Sequence, residues 1–365
     1  MARRTLVATT LEAKPEAGKL LEVTALSTSF RTARGLVRAV TDVSFVLERG
    51  RTLGIVGESG SGKSVLSRSI MGLLPGRNVE RSGSVRFEGN EIANLNAKDM
   101  RAYWGDEMAM VFQDPMTALN PVVKIGRQIT ESLVFHLDMG KQQAHDTALA
   151  LLRSVGIPEP ERRLGEYPHQ LSGGMRQRVV IAIALACGPK LLFADEPTTA
   201  LDVTVQAQIL DLLEQQQRER FMAMILVTHD LGVVAGRADE IAVMYAGQIV
   251  EKAPTRTLFQ SMRMPYTEAL LKSIPKLDQP SHTKLDAIPG RPPDLIDLPV
   301  GCRFAARCPY VQERCIAEQP PLLEAETPGH MYRCWYPVSG APVELPEVRA
   351  SVLEAASAPT AVGAT

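Results

Sequence analysis

Residues 53–64 read LGIVGESGSGKS, and this stretch decides how the chain folds and what it binds. An apolar strand, Leu53–Val56, runs into a turn rich in glycine and serine, and a helical stretch that reaches Leu74 follows. Small residues in such a turn let backbone N–H groups surround phosphate oxygens at the positive end of the helix. The lysine and serine that end the turn can neutralise the phosphates and ligate Mg²⁺. The sequence therefore predicts a nucleoside triphosphate site made by Gly57, Ser59, Gly60, Ser61, Gly62, Lys63 and Ser64.

Short apolar strands alternate with helical stretches from Leu20 to about Arg263. Helical stretches between the strands place apolar residues on one face, as Val205, Ile209 and Leu212 show. This alternation predicts an α/β domain with a largely parallel sheet. Residues from about 115 to 170 carry helical patterns without a convincing strand, which indicates an inserted helical subdomain. Five segments have the character of buried strands: Leu53–Val56, Met108–Phe112, Leu191–Ala194, Met224–Val227 and Ile241–Met244.

Two carboxylates follow the predicted strand Leu191–Ala194. Ligands of parallel sheets bind at the carboxyl ends of the strands, so Asp195 and Glu196 are expected to face the nucleotide. Asp195 is the natural partner of Mg²⁺, directly or through water. Glu196 can then polarise the water that attacks the γ-phosphate. An Asp-Glu pair alone would usually be a solvated turn, and its position downstream of the phosphate-binding loop favours the catalytic interpretation.

A second candidate anion site, LSGGM at residues 171–175, precedes a predicted helix from Arg176 to Cys187. Small residues at a helix N-terminus expose backbone N–H groups to an anion, although Ser172 could also simply cap the helix. Other positions add to the pattern because they precede helices or follow strands. These are Phe30, Gln113, Ala200-Leu201-Asp202 and Thr228-His229-Asp230.

In this order, the motifs resemble those of the ATP-binding subunits of ABC transporters. The resemblance implies a P-loop NTPase fold with a RecA-like core, an antiparallel β subdomain and a helical subdomain. It implies that Phe30 stacks on the adenine of ATP and that His229 assists Glu196 in hydrolysis. It also implies that Gln113 joins Ser64 and Asp195 at the Mg²⁺ ion and links the site to the helical subdomain.

In this family two ATP-binding domains meet head to tail, and each ATP lies between the P-loop of one and the signature sequence of the other. By resemblance, Ser172 and Gly174 contact the γ-phosphate that a partner domain binds, and Gly173 and Asp202 belong to the same nucleotide-binding set. The chain carries one such set. It should therefore need a second ATP-binding subunit, and the resemblance favours a paralogue over a second copy.

The composition limits other functions. Of 365 residues, 45 % are hydrophobic and 22 % charged, which is ordinary for a globular protein. The net charge of −1 gives no electrostatic case for nucleic acid, which argues against a soluble ABC ATPase of DNA repair or translation. The longest apolar run, Val179–Cys187, is shorter than the ~20 residues of a transmembrane helix, and no signal peptide is evident. We expect a peripheral protein on the cytoplasmic face of the inner (plasma) membrane.

The chain changes character after Arg263. We expect a flexible tail at 1–19, an ATPase domain at 20–263, a small C-terminal domain rich in Cys and Pro at 264–340, and a disordered tail at 341–365. The C-terminal part contains PYTEALL from residue 265, IPG from residue 288 and GCRF from residue 301. It resembles the C-terminal region of the ATPases of dipeptide, oligopeptide and nickel importers, most closely the D-type subunit.

This second resemblance implies ATP-driven import of dipeptides or oligopeptides, with nickel or another solute as the alternative. It implies two transmembrane permease subunits and an extracytoplasmic substrate-binding protein as partners. Those partners select the solute, so the sequence leaves the exact substrate open.

Four of the five cysteines lie in the C-terminal domain, with the spacing Cys302-x5-Cys308-x6-Cys315-x18-Cys334. A proline-rich segment with four thiolates can gain order from a metal that substitutes for a core. Zinc sites usually contain paired Cys-x2-Cys motifs, which are absent here. The wider spacing suits a [4Fe–4S] cluster, and the family resemblance favours it too, with Zn²⁺ or free thiols as alternatives. Cys187 ends an apolar helix and is expected to be core.

Overall fold

The computed structural model describes residues 18–74, 76, 78–199, 201–274 and 288–338. The tail expected at 341–365, nearly all of the tail expected at 1–19, and Ala200 lie outside the described residues. Within the described ranges, no helix is long and apolar enough to cross a membrane.

The described residues form twelve strands, twelve α-helices and two short 3₁₀ helices, Pro168–Gln170 and Ala305–Arg307. The strands are β1 (Lys19–Thr32), β2 (Gly35–Glu48), β3 (Thr52–Val56), β4 (Val79–Phe87), β5 (Asn90–Glu91), β6 (Met108–Val111), β7 (Leu191–Asp195), β8 (Ala223–Thr228), β9 (Glu240–Tyr245), β10 (Gln248–Pro254), β11 (Leu323–Glu324) and β12 (Met331–Tyr332). The helices are α1 (Lys63–Ile70), α2 (Ala97–Met100), α3 (Pro115–Ala118), α4 (Ile125–Leu137), α5 (Lys141–Ser154), α6 (Pro160–Arg163), α7 (Gly173–Leu185), α8 (Val203–Arg220), α9 (Leu231–Ala235), α10 (Thr255–Ser261), α11 (Pro265–Lys272) and α12 (Glu313–Ala317).

Five parallel strands form the centre of the molecule in the order β6-β7-β8-β3-β9. Every residue of β3, β6, β7 and β8 is buried, as expected for a parallel sheet covered on both faces. Leu53 and Ile55 belong to one hydrophobic cluster and Val56 to the other, so both faces are packed. All five predicted strands lie in this sheet, and the predicted α/β class with a largely parallel sheet is confirmed.

A second sheet, in the order β2-β1-β4-β5, is antiparallel throughout. Its inward residues Leu21, Val23 and Val43 share a cluster with Leu66 and Ile70 of α1. The pairing of β1 with β2 contains several register shifts. These shifts interrupt the alternation of polar and apolar residues, so the hydrophobic pattern does not predict this sheet, which the family resemblance implies.

Helix α1 is shorter than predicted. It ends at Ile70 rather than Leu74, because Gly72 takes up a left-handed conformation with φ +65° and stops the helix.

Helix α7 spans Gly173–Leu185, whereas the prediction was Arg176 to Cys187. The earlier start has a physical cause, since Ser172 Oγ accepts a hydrogen bond from the Met175 N–H at 3.3 Å and caps the helix. The small residues of LSGGM therefore lie in the first turn of α7, with their N–H groups free of intrahelical acceptors.

Residues 115–170 hold α3, α4, α5, α6 and one 3₁₀ helix, and no strand. Ile125, Ile129 and Leu133 of α4 are fully buried in one cluster with Ala148 and Leu152 of α5. The helical stretch therefore has a packed interior of its own that continues into the main core.

The C-terminal region is built onto the edge of the central sheet. Strand β12 pairs with β10, and β11 pairs with β12, so all three extend the parallel centre in antiparallel fashion. Tyr266 and Phe304 are buried in the same cluster as the sheet residues Val243 and Tyr245. The region predicted as a small C-terminal domain from residue 264 thus shares the sheet and core of the ATPase domain.

A buried carboxylate fastens this junction. Glu251 on β10 is 0 % exposed and accepts hydrogen bonds from the backbone N–H groups of Arg263 at 2.5 Å and Met264 at 3.1 Å. Its Oε1 also lies 2.8 Å from Nε2 of His330, which is equally buried. All of these polar groups would lack partners if the carboxylate were removed.

We expect Glu251→Ala to lower the free energy of unfolding by about 3 kcal/mol or more, because it leaves buried polar groups unpaired. Urea denaturation followed by tryptophan fluorescence measures this change. The control is Glu240→Ala, which breaks the surface ion pair with Lys252 at 2.9 Å and should cost less than about 1 kcal/mol. Equal losses in the two variants would contradict the assigned role of the buried pair.

Candidate nucleotide-binding site

The phosphate-binding loop follows β3 and leads into α1. Two of its glycines allow close backbone approach. A Cβ atom at Gly57 would lie 2.1 Å from the carbonyl oxygen of Met244, and one at Gly62 would lie 2.3 Å from that of Ala39. Gly62 also has φ +103°, a conformation that favours glycine. The loop is thus wedged between β2 and β9 with its N–H groups at the start of α1.

The lysine of the loop is buried. Lys63 is 4 % exposed, and its Nζ donates hydrogen bonds to the carbonyl oxygens of Gly57 at 2.7 Å and Glu58 at 3.0 Å. Burial lowers the pKa of Lys63, and the carboxylates of Glu196 and Asp195 act in the opposite direction. The ammonium group lies 3.9 Å from Glu196 Oε1. A cation is therefore held inside the loop, where phosphate oxygens would approach.

Asp195 ends β7 and is 1 % exposed. Its Oδ1 accepts a hydrogen bond from Ser64 Oγ at 2.8 Å, and its Oδ2 is buried without a hydrogen-bond partner. Burial raises the pKa of Asp195, and the Ser64 hydrogen bond opposes this shift. A hydroxyl and a carboxylate with one unused oxygen suit Mg²⁺, which prefers oxygen ligands and keeps several waters. The donor set fits the ion that the sequence predicts.

Glu196 is held by side chains from three different loops. Its Oε2 accepts hydrogen bonds from Gln113 Nε2 at 3.0 Å and from Thr199 Oγ1 at 3.1 Å, and it lies 3.6 Å from His229 Nδ1. The backbone of Glu196 is left-handed, with φ +46°. The structure therefore brings together Gln113, Glu196 and His229 as the sequence predicted. Thr199 was missed, although its position three residues after a carboxylate at a strand end is a signal that could have found it.

Most of these groups line one open cleft of about 1030 Å³, whereas Asp195 and Thr199 lie outside its lining. Of the residues predicted for the site, the cleft is lined by Phe30, Ser59, Gly60, Gly62, Lys63, Ser64, Gln113, Glu196 and His229. Nine further lining residues were not predicted. Four of them flank the predicted motifs and are Val37, Ala39, Glu58 and Val65. The other five belong to α11 and the region that follows it, and are Leu270, Ser273, Ile288, Pro292 and Leu295.

The residues that resemble the signature sequence, Ser172, Gly173 and Gly174, do not line this cleft. They lie at the start of α7 against the first turn of α8 and the loop before it. A Cβ atom at Gly174 would lie 2.8 Å from Val205 Cγ1, and one at Gly173 would lie 3.7 Å from Leu201 Cδ2. Asp202 caps α8 by accepting a hydrogen bond from the Val205 N–H at 2.9 Å. The predicted residues thus form two groups in one chain, and their roles in ATP hydrolysis stay predictions.

The four C-terminal cysteines line one small, mainly apolar cavity. Burial raises the pKa of the Cys302 and Cys308 thiols and raises that of Cys334 to about 12. In the part of the chain that the structure describes, no group of three or more His, Cys, Asp or Glu side chains is arranged to hold a metal ion. Cys187 lies elsewhere, buried in the main core as predicted.

Comparison with known proteins identifies the fold. The dimeric structure of the ATP-binding cassette MJ0796, in a post-hydrolysis state bound to ADP and Pi, aligns with a TM-score of 0.59 at 27 % identity. The alignment covers 65 % of this chain and 99 % of that chain. A family model described as ABC transporter matches residues 40–199. The fold and site therefore define an ATP-binding cassette of the ABC transporter class.

The C-terminal region identifies a narrower family within the ABC transporter class. A model described as oligopeptide/dipeptide transporter, C-terminal region, matches residues 250–315. The oligopeptide transport ATP-binding protein OppD of Bacillus subtilis (strain 168) is 50 % identical over 331 residues, or 90 % of this chain and 92 % of that protein. The dipeptide transport ATP-binding protein DppD of Escherichia coli (strain K12) is 48 % identical over 324 residues, or 88 % and 98 %. The chain belongs to this family of oligopeptide and dipeptide transport ATP-binding proteins, and the resemblance seen in its motifs is confirmed.

We expect Glu196→Gln to bind ATP but to hydrolyse it about 10²–10⁴-fold more slowly, because the amide cannot polarise the attacking water. Steady-state phosphate release and equilibrium binding of a fluorescent ATP analogue measure the two effects. Glu161→Gln is the control, since Glu161 pairs with Arg153 on the surface. Hydrolysis at the parent rate by Glu196→Gln would remove this residue from the assigned role.

Proposed function

We propose that the chain is the ATP-hydrolysing subunit of an ABC importer for oligopeptides or dipeptides. The observation that carries the proposal is a cleft lined by the phosphate-binding loop, Gln113, Glu196 and His229, in a chain that matches peptide transport ATP-binding proteins over about nine tenths of its length. The match includes the C-terminal region as well as the ATP-binding cassette.

The residues of the cleft divide the chemistry among them. Lys63 and the loop N–H groups bind the phosphates of ATP, while Ser64 and Asp195 would hold Mg²⁺, whose charge offsets that of the transferred phosphoryl group. Glu196 orients and polarises the attacking water. Gln113 and His229 keep that carboxylate directed at the γ-phosphate, and both face it from neighbouring strand ends.

A second ATP-binding subunit completes the site. Ser172 and the small residues that follow it present helix N-terminal N–H groups, yet they lie apart from the cleft of their own chain. An anion site of this kind can act on the γ-phosphate of ATP bound by a partner. The related cassette MJ0796 is described as dimeric with ADP and Pi. The partner is a paralogue or a second copy of this chain.

The permease subunits bind the helical subdomain at residues 115–170, and this contact couples ATP hydrolysis to transport. Gln113 joins Glu196 to this subdomain, and apolar side chains in and just before it are exposed, including Phe112 at 40 %, Met116 at 61 % and Phe135 at 72 %. Exposed apolar patches mark protein–protein contacts. The working complex has two permeases and an extracytoplasmic substrate-binding protein, and places this subunit at the cytoplasmic face of the membrane.

We also propose that the four C-terminal cysteines bind a [4Fe–4S] cluster rather than a single Zn²⁺ ion. Such a cluster bonds one thiolate to each iron, so its ligands surround a volume, and all four thiols line one cavity. Nearby backbone N–H groups of Phe304, Tyr310 and Tyr336 lower the pKa of the Cys302, Cys308 and Cys334 thiols, against the larger effect of burial. N–H groups directed at sulfur stabilise cluster-bound thiolates. A bound cluster would cross-link this short segment, a structural role.

We expect anaerobically purified protein to be brown, with iron and sulfide in equal amounts and broad absorption at about 400 nm. Cys308→Ser should lose most of the colour, because it removes one ligand, whereas Cys187→Ser should keep it. A colourless wild type that contains zinc, or a Cys308→Ser variant with unchanged iron, would contradict the cluster.

The test of the function is uptake of a labelled dipeptide by cells whose only copy of this gene is wild type, Glu196→Gln or Glu161→Gln. We expect uptake to be lost only in Glu196→Gln, with equal subunit levels on immunoblots, because transport requires hydrolysis. Equal uptake in all three strains would contradict the peptide assignment and direct the search to nickel or another solute.

A further inference from the structure

One side, or wall, of the nucleotide cleft is lined by residues of the C-terminal region, outside the ATP-binding cassette. Ile288, Pro292 and Leu295 of the C-terminal region line it together with Phe30 and Val37, which are paired across β1 and β2. Ile288 and Leu295 are half-buried, and Pro292 is exposed. An apolar surface that borders the phosphate loop is positioned for a flat, apolar part of the ligand.

The far end of this wall is fixed to the antiparallel sheet. The N–H of Arg38 on β2 donates to the carbonyl oxygen of Leu295 at 3.0 Å. Arg34 and Asp294 form an ion pair at 3.1 Å. A Cβ atom at Gly35 would lie 3.0 Å from Ile296 Cγ2. Leu295 is therefore held next to Val37, and the surface from Phe30 to Leu295 is continuous.

The near end is fixed to the phosphate loop by one guanidinium group. Arg307 donates to the carbonyl oxygens of Pro289 at 2.9 Å and Ile288 at 3.2 Å. The same side chain, 3 % exposed, forms a bidentate pair with Glu58 of the loop, at 2.6 and 2.9 Å. The Glu58 N–H donates to Tyr266 Oη at 2.9 Å. Bidentate arginine–carboxylate pairs fix geometry as well as charge.

We propose that residues 288–295 form a base-binding wall of the ATP pocket that continues the surface of Phe30. We further propose that Arg307 is the positioning residue that sets this wall relative to the phosphate loop. The inference deepens the proposed function, on which it rests. The adenine base loses water-exposed surface against Ile288 and Leu295 in addition to Phe30, which increases affinity through apolar burial.

Two ligands distinguish the contribution of the wall to binding from that of the phosphate loop. ATP uses both, whereas inorganic tripolyphosphate uses only the loop. We expect Leu295→Ala and Ile288→Ala each to weaken Mg-ATP binding by about 3–10-fold, a loss of about 0.6–1.4 kcal/mol, and to leave tripolyphosphate binding unchanged. Arg307→Gln should weaken both ligands, because it releases Glu58 as well as the wall. Val300→Ala is the control, since Val300 is an 83 % exposed apolar residue of the same region.

Isothermal titration calorimetry on the full chain measures both ligands, and thermal unfolding checks that each variant is folded. ATP affinities within twofold of wild type in both wall variants would overturn the wall. Equal weakening of ATP and tripolyphosphate by Leu295→Ala would overturn it too, because the segment would then act on the loop alone. A wild type that binds neither ligand would instead refute the proposed function and the wall with it.

A second measurement does not depend on a variant. Photolysis of bound 8-azido-ATP should label a peptide that contains residues 288–295, and excess ATP should prevent the label. Labelling confined to peptides of β1, β2 and the phosphate loop would overturn the proposal.

Discussion

Parallel pairing of β3, β6, β7 and β8 is the constraint on which the site depends. Parallel strands direct all their carboxyl ends to one edge of the sheet, where ligands of such folds bind. Each of these strands is followed there by a residue of the cleft: Gln113 after β6, Glu196 after β7, His229 after β8 and Lys63 beyond the loop after β3. Residues far apart in sequence thus meet within hydrogen-bonding distance, as Gln113 and Glu196 do at 3.0 Å.

Burial gives this cluster its electrostatic character. Desolvation raises the pKa of Asp195 and lowers that of Lys63, so both groups gain from a ligand that carries the opposite charge. Mg-ATP would supply a cation for Asp195, whose Oδ2 is buried without a partner, and an anion for Lys63. Two buried groups of opposite charge suit a ligand that carries both charges, as a metal–phosphate complex does.

The C-terminal region contributes to the central sheet and contacts the phosphate loop. It adds β11 and β12 to the central sheet, and its Arg307 grips Glu58 of the phosphate loop with two hydrogen bonds. Cys308 is the next residue along the chain and lines the four-cysteine cavity. The cysteine segment and the phosphate loop are therefore linked, because Arg307 is bonded to Cys308 along the chain and forms an ion pair with Glu58.

The sequence by itself determined the fold class, the five parallel strands and the core of the site, because each of these is encoded locally. A strand, a glycine turn and Lys63-Ser64 specify their own backbone, and Asp195 and Glu196 follow directly from a strand end. Only the tertiary structure decided the contact between Glu58 and Arg307, 249 residues apart, and the wall at residues 288–295. Such contacts depend on the register and packing of distant elements, which no local pattern contains.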